Sequence, residues 1–172
     1  MMKNTIVILL LSAIPALVLA DGGHGAMHAM PEHGMGAMQG VGNSPTEISL
    51  TGKPGDPARI GRTIEVRMND DMRFTPNSVT VKAGEVVRFF VRNVGRTPHE
   101  LVIGSMEALK AHAAMMRDMP GMEHAEPNMV TLNPGQRGGL VWQFDQPGTV
   151  DFACLIPGHM EAGMVGKVTV AE

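Results

Sequence analysis

The chain carries one cysteine, and a histidine and a methionine follow it at equal spacing. Cys154, His159 and Met164 form a C-x4-H-x4-M pattern. Thiolate, imidazole and thioether are soft ligands that suit copper, and two histidines, one cysteine and a weak axial methionine are typical of blue-copper centres. The pattern therefore predicts a copper site that needs one further histidine.

His99 is the candidate for that histidine. It follows an apolar run, residues 86–94, near the point where a strand is expected to end. A Pro-Gly pair before His159 and a glycine before Met164 permit the tight turns that bring both side chains back toward one ion. Each residue alone is most often an ordinary core or surface residue. Together, at this spacing, they indicate a metal site.

Zinc is the competing metal, because cysteine and histidine also bind zinc. Structural zinc sites usually combine several cysteines at short C-x2-C spacing, whereas this chain has a single cysteine. A thioether is also a poor zinc ligand. Copper, as Cu+ and Cu2+, is therefore the predicted cofactor.

The N terminus has the features of an export signal. Lys3 precedes an apolar segment at residues 6–18, and Val18-Leu19-Ala20 is a candidate cleavage site. We expect residues 1–20 to be a signal peptide cleaved after Ala20, and the protein to be periplasmic. The apolar segment is shorter than the roughly 20 residues of a membrane span, so no span is expected.

Composition narrows the function classes further. A chain with one cysteine forms no internal disulfide, and metal ligation would protect its thiol in an oxidising compartment. The net charge is only -3, with acidic and basic residues interspersed, so no basic surface favours nucleic acid. The unusual contents are 16 methionines and 7 histidines.

Many of these residues lie between the signal and the folded domain. Residues 21–44 are rich in Gly, Met, His and Ala and lack a period that would bury a face, so we expect a disordered leader, with a linker extending to residue 59. Thioethers select Cu(I), and imidazole accepts both oxidation states. The predicted leader copper ligands are His24, Met27, His28, Met30, His33, Met35 and Met38. The alternative is a low-complexity linker with incidental methionines.

Residues 60–172 have an all-β pattern, with short strand signals separated by turn residues, as in a sandwich or barrel. The predicted strands are residues 63–68, 78–82, 86–93, 100–104, 129–132, 139–144, 149–153 and 165–170. One helix is predicted at residues 105–118, where Ser105 can cap its N terminus and Glu107 lies in its first turn.

The helical insertion, about residues 105–128, carries a second Met/His cluster. Spacing of four places His112 and Met116, or Met115 and Met119, on one helix face. The predicted copper ligands of this insertion are His112, Met116, Met119 and His124. The alternative is that these methionines fill gaps between the helix and the sandwich.

Several segments together resemble a cupredoxin. They are MRFTP at residues 72–76, VTVKAGEVVRF at residues 79–89, Asn93 with His99-Glu100, and the ligand loop running to residues 166–168. The resemblance covers nearly all of residues 60–172; the loop spacing is similar to that of rusticyanin and close to azurin. The exported Met/His-rich leader resembles the periplasmic copper-tolerance cupredoxins of the CopI type.

The resemblance implies a fold and a ligand set. The fold is a Greek-key β-sandwich with a short helical insertion and a disordered N-terminal leader. The ligands of a type 1 copper are His99, Cys154, His159 and Met164, and the backbone N–H of Glu100 bonds the cysteine sulfur.

Two functions share that site. The first is a protein of copper tolerance and homeostasis, which binds and buffers copper and oxidises Cu(I) by electron transfer. Its expected partner is a redox protein or a copper-transfer protein. The second is a one-electron shuttle of the azurin or rusticyanin kind. The leader favours the first, because a shuttle has no use for extra copper ligands.

A copper enzyme is disfavoured. Nitrite reductases and multicopper oxidases connect a type 1 copper to a catalytic copper through histidines flanking the cysteine, and here the flanking residues are Ala153 and Leu155. No other catalytic constellation is visible in the sequence.

The residues around His159 are candidates for an apolar patch on which a partner docks. They are Leu155, Ile156, Pro157 and Met160. Met160 is expected to point away from the metal, toward solvent or the partner.

Overall fold

The computed structural model describes residues 50–119 and 125–172. The predicted signal peptide, the leader ligands and His124 lie outside these ranges. The elements within them are β1 (Lys53–Pro54), β2 (Arg62–Asn69), β3 (Arg73–Thr75), β4 (Ser78–Lys82), β5 (Val86–Asn93), β6 (His99–Gly104), α1 (Met106–Asp118), β7 (Met129–Leu132), β8 (Arg137–Gln143), β9 (Gly148–Ala153) and β10 (Val165–Ala171), with a 3-10 turn at Pro57–Arg59.

The strands form two five-stranded sheets. One has the order β1-β8-β5-β2-β3, and the other has the order β4-β10-β9-β6-β7. The pairs β2/β5 and β4/β10 are parallel, and the remaining pairs are antiparallel. The predicted all-β sandwich is confirmed.

The core lies between the sheets, because alternate residues of most strands point inward. In β4, Val79 and Val81 are buried while their neighbours are exposed. The largest buried side chains come from both sheets, including Trp142 of β8 and Phe152 of β9. Cys154, which follows β9, belongs to this core cluster.

Strand β6 differs from this pattern, since all six of its residues are buried. Helix α1 covers its outer face, where Leu109 and Ala113 pack with Val102, Ala153 and Leu155. A strand covered on both faces shows no polar alternation. The helix therefore packs on the strand that begins at His99 and on the strand that ends just before Cys154.

The helix begins as the sequence predicts. The Ser105 hydroxyl accepts a hydrogen bond from the Ala108 N–H at 3.1 Å, and the helix ends at Asp118. Glu107 in the first turn and Arg117 in the last complement the helix dipole.

Two short strands escaped prediction. Strand β1 lies in the segment interpreted as linker and pairs with the end of β8. The indole N–H of Trp142 anchors it by donating to the Thr51 carbonyl at 2.9 Å. Pro54 marks it as a turn in sequence, although a two-residue edge strand tolerates proline. Strand β3 pairs with β2 and is too short to show a period.

Among the described residues, no helix is long and apolar enough to cross a membrane.

Candidate metal centre

Three side chains predicted from the sequence meet at one end of the sandwich. His99 begins β6, Cys154 follows the last residue of β9, and His159 lies on the loop between β9 and β10. Each offers a donor atom, and the three atoms lie within 4.8 Å of one another. His99 and Cys154 are 55 positions apart in sequence, and they meet because β6 and β9 are neighbouring strands.

The His99 ring is fully buried, and its two nitrogens have different surroundings. Its Nε2 lies 3.3 Å from Asp70 Oδ1 and 3.3 Å from Thr97 Oγ1. Its Nδ1 is buried without a hydrogen-bond partner. An unpartnered buried nitrogen is unfavourable, and a metal ion on that side would satisfy it. The donor set therefore fits a soft metal such as copper.

Cys154 is fully buried. Its sulfur lies 3.3 Å from His159 Nδ1 and accepts the Glu100 N–H at 3.4 Å, which is the hydrogen bond that the resemblance implied. Burial raises the pKa of the Cys154 thiol to about 12, and the charge of Glu100 acts in the same direction. Without a metal the thiol keeps its proton at neutral pH.

The loop after the cysteine is a series of tight turns. The N–H of His159 donates to the Ile156 carbonyl at 3.0 Å, and the N–H of Met164 donates to the His159 carbonyl at 3.0 Å. Gly158 and Gly163 have φ values of 89° and 97°, in the left-handed region that glycine adopts without strain. These turns fold the chain back at both places that the sequence predicted.

His159 is the half-buried member of the group, whereas the other two are fully buried. Its pKa is lowered, first by burial and then by the neighbouring His99. The neutral imidazole that a metal requires is therefore the favoured form.

Met164 is adjacent to the cysteine through the backbone. The Cys154 N–H donates to the Met164 carbonyl at 3.1 Å, and the Met164 side chain is fully buried in the same core cluster. Its role as the axial ligand remains a prediction.

Besides Asp70, the sequence analysis missed two further supporting side chains. The Glu100 carboxylate accepts the Leu155 N–H at 2.9 Å and the Thr131 hydroxyl at 3.3 Å, so it holds the peptide that follows the cysteine. The Arg73 guanidinium donates to the Ala162 carbonyl at 2.8 Å and clamps the end of the loop to β3. These contacts span 31 to 89 residues of sequence, and no local pattern signals them.

The predicted insertion ligands are distributed along α1. His112 is buried, Met116 is half-buried and Met119 is 42% exposed. Within the described ranges, one group of three His, Cys or carboxylate residues could hold a metal, and it is the one at Cys154. Copper binding by the insertion, like that by the leader, stays a prediction.

The apolar patch around His159 differs from the expectation. Leu155 is buried beneath α1, whereas Met160 packs against the same cluster and stays partly exposed. Ile156 packs on the main core, and Pro157 is exposed. The helix therefore removes Leu155 from the predicted patch, while the other three residues keep some exposed surface.

Comparison with known proteins agrees with this geometry. Residues 62–171 match the family described as copper binding proteins, plastocyanin/azurin family. The chain is 47% identical to the copper-resistant cuproprotein CopI of Rubrivivax gelatinosus, over 98% of this chain and 99% of that protein. It is 35% identical to CopI of Vibrio cholerae serotype O1, with the same coverage.

Among solved structures, auracyanin B has a similar fold. The TM-score is 0.59 and the identity is 26%, over 70% of this chain and 96% of that chain. With the family match, the sandwich and the buried Cys-His-His group, this chain belongs to the cupredoxins, the plastocyanin/azurin family of copper-binding proteins.

Proposed function

We propose that this cupredoxin is a periplasmic protein of copper tolerance, which binds and buffers copper and oxidises Cu(I). The observation that carries the proposal is the buried group of His99, Cys154 and His159 in a chain that is 47% identical, over nearly its whole length, to a copper-resistant cuproprotein.

In this proposal the donors have separate roles. Cys154 supplies the thiolate, His99 and His159 supply imidazole nitrogens, and Met164 supplies a weak axial thioether, which together form a type 1 centre. Copper contributes a one-electron couple when bound. Glu100 holds the cysteine from two sides, through its backbone N–H on the sulfur and its carboxylate on the Leu155 N–H.

In this proposal the electron leaves through the ring of His159, the half-buried member of the group. His159 lies nearer the surface than the fully buried His99 and Cys154. Oxidation of one Cu(I) ion to Cu(II) releases one electron, which a redox protein partner accepts. We place that partner's contact at the exposed side of His159 and at Pro157.

We further propose that residues 1–20 direct export and that the leader binds copper separately from the folded site. The density of thioether and imidazole groups between His24 and Met38 supports this role. The family match begins at residue 62, so the leader precedes the part of the chain that forms the fold.

The second candidate function is a one-electron shuttle without a role in tolerance. Its support is that the three-donor group lies wholly within residues 62–171, so a redox centre can form without the leader. The two functions differ in whether the leader contributes to the protection of cells against copper.

Deletion of residues 21–44 separates them. We expect the truncated protein to keep the visible spectrum of its copper centre, to bind fewer Cu(I) ions per chain than the full mature protein, and to protect cells less well during growth in copper. Cys154→Ser in the full chain should also reduce protection if the centre takes part in detoxification. A truncated protein that binds as much Cu(I) and protects equally well would leave the shuttle as the better function.

A further inference from the structure

Which ring nitrogen of His99 can bind a metal depends on which of the two carries the proton. Two acceptors lie 3.3 Å from Nε2: the carboxylate of Asp70 and the hydroxyl oxygen of Thr97. The Thr97 hydroxyl itself donates to Asp70 Oδ1 at 3.0 Å, so its proton is directed away from the ring. An ionised carboxylate only accepts. Nε2 must therefore carry the proton, which leaves the lone pair on Nδ1.

The Asp70 carboxylate is itself held in place by the loop before His99. The Arg96 N–H lies 2.9 Å from both of its oxygens, and the Thr97 N–H lies 3.2 Å from Oδ1. Residue 95 is a glycine, and a side chain there would collide with the carboxylate. Backbone N–H groups thus reach both carboxylate oxygens, the arrangement expected of an ionised carboxylate, which only accepts hydrogen bonds.

Asn93 fixes the same loop from its other side. Its side-chain amide donates to the Thr97 carbonyl at 2.7 Å and to the Leu132 carbonyl at 3.0 Å, and its oxygen accepts the Gly95 N–H at 2.9 Å. The loop that carries Asp70's partners is therefore tied to β7. The carboxylate has little freedom to turn away from the histidine.

We propose that Asp70 is a positioning residue of the copper centre, which fixes His99 with Nδ1 as its ligand atom and favours Cu(II) over Cu(I). A carboxylate behind a metal-bound histidine orients the ring and makes it a stronger donor. The negative charge is separated from the metal by one imidazole, so it stabilises the more positive oxidation state more. This inference rests on the proposed copper centre and adds a determinant of its potential.

The effect of Asp70 on the reduction potential, which it lowers in this proposal, agrees with the proposed oxidation of Cu(I). A lower reduction potential makes bound Cu(I) easier to oxidise, and the electron then passes to the redox partner. Asp70 would thus set the driving force for that transfer while touching neither the metal nor the partner.

The first test needs no copper and no variant. In the metal-free mature chain, nitrogen chemical shifts and long-range proton–nitrogen couplings of the His99 ring report which nitrogen is protonated. We expect the Nε2–H form. A ring protonated on Nδ1 alone would overturn the assignment, whatever the fate of the copper proposal.

The second test compares Asp70→Asn with Asp71→Asn in the copper-loaded protein. Both changes remove one negative charge, but Asp71 is exposed and its carboxylate accepts from Asn69. We expect Asp70→Asn to shift the balance from Cu(II) toward Cu(I) about tenfold more than Asp71→Asn, which corresponds to a rise in potential about 59 mV larger. Equal shifts in the two variants would contradict the proposal. If Asp70→Asn does not fold, the protonation measurement on the unaltered chain decides.

Discussion

At the scale of single residues, the sulfur of Cys154 combines two opposing requirements. Its burial protects the thiol and raises its pKa to about 12, but a metal binds the thiolate. The Glu100 N–H donates to the sulfur, and this hydrogen bond favours the charged form. Metal binding must therefore displace the proton that the metal-free thiol carries.

This gives copper binding a defined pH dependence. Between about pH 7 and pH 9 the free thiol is protonated and the bound sulfur is not, so each unit of pH should raise the apparent affinity for copper about tenfold. The pKa of His159 is lowered, so this ring is already neutral in that range and adds no slope. Titration against a competing chelator at several pH values measures the effect. Cys154→Ser should lack the slope, and a flat response in the unaltered protein would contradict the account.

Two neighbouring methionines should differ in their effect on the reduction potential. Met164 is buried beside the cysteine, whereas Met160 packs against the cluster under α1. Met164→Leu should raise the potential, since it removes a ligand of Cu(II), and about 59 mV corresponds to a tenfold change in the equilibrium. Met160→Leu should leave it nearly unchanged. Voltammetry of both variants checks the assignment, and the reverse pattern would show that the wrong methionine was chosen.

At the scale of elements, the ligands depend on strands far apart in sequence. Strand β6 brings His99, β9 leads to Cys154, and their pairing places the two side by side. Helix α1 covers both strands through Leu109 and Ala113. The insertion therefore packs against the strands that position the site, and this packing does not require that the insertion binds copper.

The N-terminal edge of the domain should contribute to stability. Trp142 is fully buried, and its indole N–H donates to Thr51. A mature chain that lacks residues 21–59 loses this hydrogen bond together with the segment that covers the indole, and one such hydrogen bond contributes about 0.5–1.5 kcal/mol. Thermal unfolding of the metal-free protein should thus show a Tm several degrees lower.

The matched control is the chain that lacks residues 21–44, which retains Thr51 and β1. Its Tm should equal that of the full mature chain. If deletion of residues 21–59 leaves the Tm unchanged as well, β1 does not stabilise the domain.

The strands with clear alternation and the capped helix were predictable from sequence because local patterns determine them. Ser105 as the N-cap and the glycines of the ligand loop are examples. The supports of the site were not predictable. Asp70, Arg73 and the Glu100 carboxylate act on residues 29, 89 and 55 positions away, and only the fold brings them there.

The burial of Leu155 was likewise not predictable from the sequence. In sequence it is one apolar residue of an exposed-looking loop, but α1 lies over it and removes it from the surface. Nothing in the local pattern shows that an insertion more than 35 residues earlier covers the ligand loop.

At the scale of the whole molecule, the sandwich that carries the Cys-His-His group is preceded in sequence by a segment rich in Met and His. The described domain contains the complete Cys-His-His group, and the leader residues His24 to Met38 precede it. In our proposal the leader gathers Cu(I) while the domain exchanges electrons. This proposal requires that the domain holds a type 1 copper centre.

The visible absorption spectrum of the copper-loaded protein, measured beside that of Cys154→Ser, tests that centre most directly. Intense visible absorption of oxidised cupredoxins requires the copper–thiolate bond, and this chain has a single cysteine. We predict an intense band in the oxidised unaltered protein and its loss in Cys154→Ser, with the metal-free fold of the variant retained. An unchanged band in Cys154→Ser, or none in the unaltered protein, would contradict the type 1 assignment.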